Sequence, residues 1–360
     1  MPELDVQLRG FKVTDQSGGS FRIEAVGPDD TPAGWASVLP VDVRFPGAWV
    51  RVAGIAGVGT ARTLRQRGVF RRVMEEAHRR IVERGYPVSL LFGIPHLYHK
   101  VGYATTHAEH CILLKVRDVD GEIGRLPARG ALRQLDPDDW PAVLEMYHRA
   151  VQDKPGAIRR DPGRFRGFPR GPRIGYGVEG VGVFDGAKLV AYGVFDTLPQ
   201  DAVTAMRCDL YEVHLSEVIA EDPVAAGELL REAVRRAKER QVEKIHVHVP
   251  PDHPVARFLR LFGTEEITTI PRSGGGMMRV MSPEGLLRQL AGAWQEALKE
   301  GARANRLPWS GTMELAIPDS PVPDHTATPA LVRIGPSGDV DVVRRGPPGG
   351  EAANGGLPRR

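Results

Sequence analysis

The sequence predicts an α/β protein of mixed α+β sheets: two copies of one fold, then a small α/β domain. Three observations lead there. Between Ala48 and Ile94 a Val- and Gly-rich run, a basic loop, an amphipathic stretch and a short apolar run follow one another as strand, loop, helix and strand. The same order returns between Asp209 and Gly263. A last amphipathic stretch from Pro283 leads into alternating runs that end near Gly346.

Bulk properties narrow the function classes. The 360 residues suffice for two or three domains, and 41% hydrophobic with 26% charged residues is ordinary for a soluble globular chain. No apolar run approaches the ~20 residues that span a bilayer. The start, MPELDVQLRG, lacks the apolar core of a signal peptide, so a cytoplasmic location is expected, with no membrane partner. Cys111 and Cys208 cannot build a metal cage or a disulfide framework, and each is expected to be a small core residue. A net charge of +3 does not imply a nucleic-acid partner.

Residues 1–47 carry hairpin patterns, as in FRIEAVGPDDTPAGWASVLPVDVRF, and no convincing helix. Ala48–Thr60 reads as a strand whose end is bare of long side chains, and Gly54, Gly57 and Gly59 suggest close approach to its backbone or a bulge. From Val69, apolar residues at Val69, Val73, Ala77 and Ile81 form a helical stripe that stops at Gly85. Pro87–Ile94 then reads as a buried parallel strand.

The intervening loop sets Arg62, Arg65, Arg67 and Gly68 at the helix start. Unpaired N–H groups and the helix dipole favour an anion there, and cations without one are unfavourable. A phosphate cradle is therefore favoured over a solvated face or a nucleic-acid contact.

The motifs VGTARTLRQRG and LLFGIPHLYHKVGY resemble those of the GNAT acetyltransferases, in the branch of the enhanced intracellular survival proteins. The carrying residues are Val58, Thr60, Arg65 and Gly68, then Tyr98 and the Gly102-Tyr103 ending; Phe70 departs from the usual Gly or Ala. The resemblance implies acetyl-CoA as donor cosubstrate, with no metal. Gly57, Val58 and Gly59 would contact the pantetheine arm. Arg65, Gln66, Arg67, Gly68, Val69 and Phe70 would line the pyrophosphate, and Gly93 and Ile94 would flank the thioester. It makes Tyr98 the general acid to the departing thiolate, in an N-acetyltransferase acting on an amine or lysine-bearing acceptor. A phenol near ~10 can protonate a thiolate near ~8.5 once burial narrows the gap. The alternative is an acyl-CoA or lipid-binding protein with little catalysis. His96, His99 and His107 match no metal spacing and are expected at the surface or in support.

The resemblance also implies the domains: 1–127 a GNAT domain whose opening strand and helices are missing or altered, 128–281 a degenerate second copy, 282–345 a short sterol-carrier-like domain. The Pro/Gly-rich tail 346–360 is expected to be disordered. In the second copy Leu259 stands where Tyr98 stands in the first, and its helix begins with the acidic pair Glu221-Asp222. One acetyl-CoA site is therefore expected per chain. The family's base is the terminal carboxylate; here the base is left open between that of Arg360 and a side chain, and the family's members tend to form homo-oligomers.

Overall fold

The computed structural model describes residues 6–168, 177–197, 212–270, 275–303, 310–315, 330–335 and 339–344. Cys208, the tail 346–360 and Arg360 lie outside the described residues. Two compact units divide the chain: Met1–His107, Asp153–Ile158 and Arg272–Arg360 in the first, Ala108–Gln152 and Arg159–Pro271 in the second. Among the described residues no helix is long and apolar enough to cross a membrane.

The first unit's sheet contains β1 (Gly10–Asp15), β2 (Phe21–Val26), β3 (Pro32–Phe45), β4 (Ala48–Thr60), β5 (Val88–Gly93), β6 (Ala104–Thr105) and β14 (Gly275–Val280). The order is β1-β2-β3-β4-β5-β14-β6, with β4 and β5 parallel and the other neighbours antiparallel. The front end is therefore sheet, as its hairpin patterns predict. In β2 alternate residues Phe21, Ile23 and Ala25 are fully buried, the period-two signature of a strand with one face in the core.

Helix α1 (Val69–Glu83) lays Val69, Val73, Met74, Ala77 and Ile81 on that face. Each buried aliphatic side chain contributes roughly 1.5–3 kcal/mol relative to exposure. Helix α2 (Pro95–Tyr98) is a single turn after β5. Helix α7 (Pro283–Arg303) covers the opposite face, where Leu290 and Trp294 pack with Val43, Val50, Val52, Val88 and Leu90. Its Leu287 also packs on Val332 and Val342 of the antiparallel sheet β15 (Gly311–Leu315), β16 (Ala330–Ile334) and β17 (Val340–Arg344).

The second unit repeats the topology. It holds β7 (Glu109–Lys115), β8 (Ala131–Gln134), β9 (Val178–Asp185), β10 (Lys188–Asp196), β11 (Val213–Ala220), β12 (Lys244–Val247) and β13 (Glu265–Thr269). Its helices are α3 (Val116–Ile123), α4 (Trp140–Val151), α5 (Pro223–Arg240) and α6 (Pro254–Leu259). The order β8-β9-β10-β11-β12-β7-β13 matches the first sheet position by position, again with a parallel pair, β11 and β12, joined through a helix.

The sixth position of each sheet is exchanged. β7, early in the chain, fills it in the second unit, and β14, from beyond the second copy, fills it in the first. The units are therefore not consecutive stretches: β7 and α3 precede residue 128 yet lie in the second unit, and β14 precedes residue 282 yet lies in the first. Strand periodicity does not say which sheet a strand joins, so linear reading does not reveal the exchange.

A buried chain of polar groups fastens β14 in place. Arg279 on β14 is 7% exposed. Its Nη1 donates to the Val101 carbonyl at 2.7 Å and to His78 Nδ1 at 3.0 Å. His78 Nε2 then donates to Tyr103 Oη at 3.3 Å, Tyr103 to Ser89 Oγ at 2.7 Å, and Ser89 to the Ala53 carbonyl at 3.1 Å. With Nδ1 accepting and Nε2 donating, His78 is neutral, and each hydroxyl proton in the chain has one acceptor. Burial pushes the Tyr103 phenol far up and pulls the Arg279 guanidinium down. Arg279→Met removes the first donor and strands two buried acceptors, each costing ~1–3 kcal/mol. Urea unfolding of this variant is expected to show a loss of about 3 kcal/mol.

Candidate active site

The ladder between β4 and β5 covers the pairs Ala53–Ser89, Gly54–Leu90 and Ile55–Leu91. On its other side β4 stays paired with β3 as far as Thr60. Among the described residues, one edge of β4 therefore has no strand neighbour from Ala56 to Thr60, and its backbone groups face the gap. A bulge opposite Trp35 to Ser37 adds one residue to β4 there, with Gly57 in the left-handed region at φ 59°.

The gap opens into a cavity of about 980 Å³. Val58, Gly59, Thr60, Arg65, Gln66, Gly68, Val69, Phe70 and Tyr98 line it. The loop before α1 carries two left-handed residues, Gln66 at φ 62° and Gly68 at φ 74°. A non-glycine residue there costs ~1–2 kcal/mol, so Gln66 is held by the turn rather than by its own preference. No side chain caps the helix start and the first turn holds no acid. Its N–H groups are thus open to an anion. Among the described residues no carboxylate pairs with Arg62, Arg65 or Arg67.

Tyr98 reaches the cavity from α2, whose turn is closed by its own N–H on the Ile94 carbonyl at 3.1 Å. The ring stands edge-on to Phe70 at 5.6 Å and to Tyr103 at 6.1 Å. Burial pushes its phenol up, so the hydroxyl stays protonated at neutral pH. Phe70, the departure from the expected small residue, thus supplies one wall of the tyrosine's seat.

Not every expected site residue meets the cavity. Among its lining residues Gly57, Arg67, Gly93 and Ile94 are absent. Gly57 forms the bulge, Arg67 is exposed on the loop, and Ile94 is 37% exposed. Gly93 lies under Tyr98, where an added Cβ would meet the ring at 2.3 Å. At Gly59 an added Cβ would meet the Trp35 ring at 2.5 Å, so protein packing already demands a glycine there. His96 and His99 are exposed and, like half-buried His107, do not line the cavity.

Leu64, Arg71, Glu75, His78, Leu97, Lys100 and Val101 also line the cavity and were not expected from the sequence. His78 carried one signal: it follows Met74 by one helical turn on the apolar face, an unusual place for an imidazole.

The second unit satisfies its corresponding helix start internally. Asp222 caps α5 by accepting from Ala225 N–H at 2.9 Å and pairs with Arg129, and Glu221 pairs with Lys188 at 2.8 Å. Leu259 is buried at 2% exposure.

Comparison with known proteins agrees with this geometry. Residues 19–106 match the model of the acetyltransferase (GNAT) domain family. The N-acetyltransferase Eis of Mycobacterium tuberculosis is 30% identical over 166 residues, 44% of this chain and 40% of that protein. The match thus spans well under half of the relative's length. Among solved structures, a GCN5-related N-acetyltransferase from Anabaena variabilis superposes with a TM-score of 0.63 at 18% identity, covering 91% of this chain and 76% of its own. Eis1 from Mycobacterium abscessus gives a TM-score of 0.53 at 18% identity, covering 96% of this chain and 79% of its own. The likeness to the acetyltransferase (GNAT) domain family thus lies in residues 19–106, inside the first unit. The chain as a whole has the mixed α/β fold, with GNAT-like sheets, of these solved structures.

A methyl at position 93 must displace the Tyr98 ring or the strand. Gly93→Ala is expected to cost about 1–3 kcal/mol of stability, read by urea unfolding.

Proposed function

We propose that this protein is an N-acetyltransferase that moves acetyl from acetyl-CoA directly to an amine, small or lysine-borne, at the cavity of the first unit. The parting of β4 from β5 beside the uncapped, arginine-flanked start of α1 carries the reading. A chain of amide groups such as pantetheine can pair with the free edge of Ala56–Thr60. A diphosphate suits the N–H groups at Gly68–Phe70, with Arg65 in reach for charge-assisted bonds.

In the transfer the neutral amine attacks the thioester carbonyl, the new C–N bond forms and the C–S bond breaks. Tyr98 gives its proton to the departing sulfur, and the nitrogen loses its extra proton to solvent, from which the phenol is restored. Burial keeps that proton on the phenol beforehand and disfavours a bare thiolate afterwards. The second unit, whose helix start is already satisfied by Asp222, would hold no second acetyl-CoA. Helix α7 with β15–β17 would be a shortened sterol-carrier-like domain.

Thiol release from acetyl-CoA, assayed across polyamines, aminoglycosides and lysine peptides, tests the proposal. Turnover with at least one amine class is expected, and Tyr98→Phe should lower kcat about 100-fold with coenzyme A affinity nearly intact. Binding without turnover of any amine would make the protein a coenzyme A-binding module instead. Normal turnover by Tyr98→Phe would remove the acid assignment.

A further inference from the structure

The second unit carries a cluster that the acetyl-transfer reading leaves unused. β7, β12 and β11 are neighbours, with His246 opposite Leu113 on one side and His214 on the other. Side chains alternate along strands, so Cys111, His246, His214 and Glu212 share one sheet face. Ile112, Leu114, Ile245, Val247, Val213 and Leu215 point to the other face and form the core.

Cys111, expected as a core residue, is half-buried instead. Its Sγ lies 3.7 Å from His246 Nδ1, and the opposite ring nitrogen, Nε2, hydrogen-bonds Glu212 Oε2. A carboxylate accepts, so Nε2 carries the ring proton and Nδ1 presents its lone pair to the thiol. His214 stacks on the His246 ring at 4.2 Å and 18°, and its Nδ1 lies 3.2 Å from His248 Nε2. The His246 ring is thus fixed in plane by stacking and in tautomer by Glu212. Nucleophile, base and orienting carboxylate stand in the order that activates a thiol. Among the described residues no group of three or more His, Cys, Asp or Glu side chains is arranged to hold a metal ion.

We propose that Cys111, His246 and Glu212 form a base-activated thiol site that takes low-molecular-weight disulfides, independently of the acetyl-CoA cavity. The thiol proton passes to His246 Nδ1 and the thiolate attacks one sulfur of the disulfide. The reagent's S–S bond breaks as the bond to Cys111 Sγ forms, and the departing thiolate takes the proton back from His246. One disulfide is consumed, and one mixed disulfide and one thiol are made. Cys111 is oxidised and the departing sulfur reduced, so the electrons balance.

The test uses the full chain with Cys208→Ser, leaving Cys111 as the one thiol, and 4,4′-dithiodipyridine at pH 7 under stopped flow. The expected result is a single-exponential release of one thiopyridone in the folded protein, with the adduct on Cys111 by mass spectrometry. His246→Gln should slow it at least tenfold, because the base is lost while access to sulfur is kept. Glu212→Gln should slow it about threefold, because a neutral amide still orients the ring but no longer stabilises the imidazolium. Thermal melts identify any variant that fails to fold, and Glu212→Gln decides the matter if His246→Gln does. Parental rates in the folded variants, or a Cys111 that reacts in urea and not in the native chain, would overturn the assignment.

Discussion

β4 keeps its partner on one side and loses it on the other, and the candidate site follows from that asymmetry. A strand edge with unpaired amides inside a fold is costly unless something pairs with it. Here the bulge at Gly57 turns the free edge toward a cavity instead of into the core. The part of the lining that β4 supplies is thus main chain with the modest residues Val58, Gly59 and Thr60, while Arg65, His78, Tyr98 and Lys100 bring side-chain chemistry elsewhere in the lining.

The remaining architecture holds that edge open. β5 leaves β4 after Leu91 but stays paired on its other side with β14 as far as Gly93, opposite Gly275. β14 is anchored by Arg279 through His78, Tyr103 and Ser89 to the Ala53 carbonyl, at the first pair of the β4–β5 ladder. A buried guanidinium is an expensive anchor, tolerable because its partners are already aligned. The same chain borders the cavity at His78 and Val101 and supports Tyr98 through the ring of Tyr103. Stability and site geometry therefore depend on the same few groups.

Much of this was legible in the sequence because its local signals agree with the fold. The stripe from Val69 to Ile81, the hairpin patterns of residues 1–47 and the helix start at Glu221-Asp222 each appear where their residue types predict. The loop Arg65–Gly68 was legible because cations at a helix start contradict the dipole unless an anion is bound. What escaped were long-range facts. That β7 and β14 trade sheets, that Gly59 answers to Trp35, and that His78 meets Arg279 across some two hundred residues are set by topology, which no local window contains. The pairing of Cys111 with His246 was hidden for the same reason: neither residue has a telling neighbour in sequence.

The central claim is that the free edge of β4 is the binding surface for the pantetheine arm. Hydrogen exchange on the peptide covering Ala56–Thr60, with and without coenzyme A, tests it most directly. The account predicts that these amides exchange faster than those of Val50–Ile55 in the free protein and become protected at saturating coenzyme A. Unchanged exchange across Ala56–Thr60 in a coenzyme A-saturated sample would contradict it.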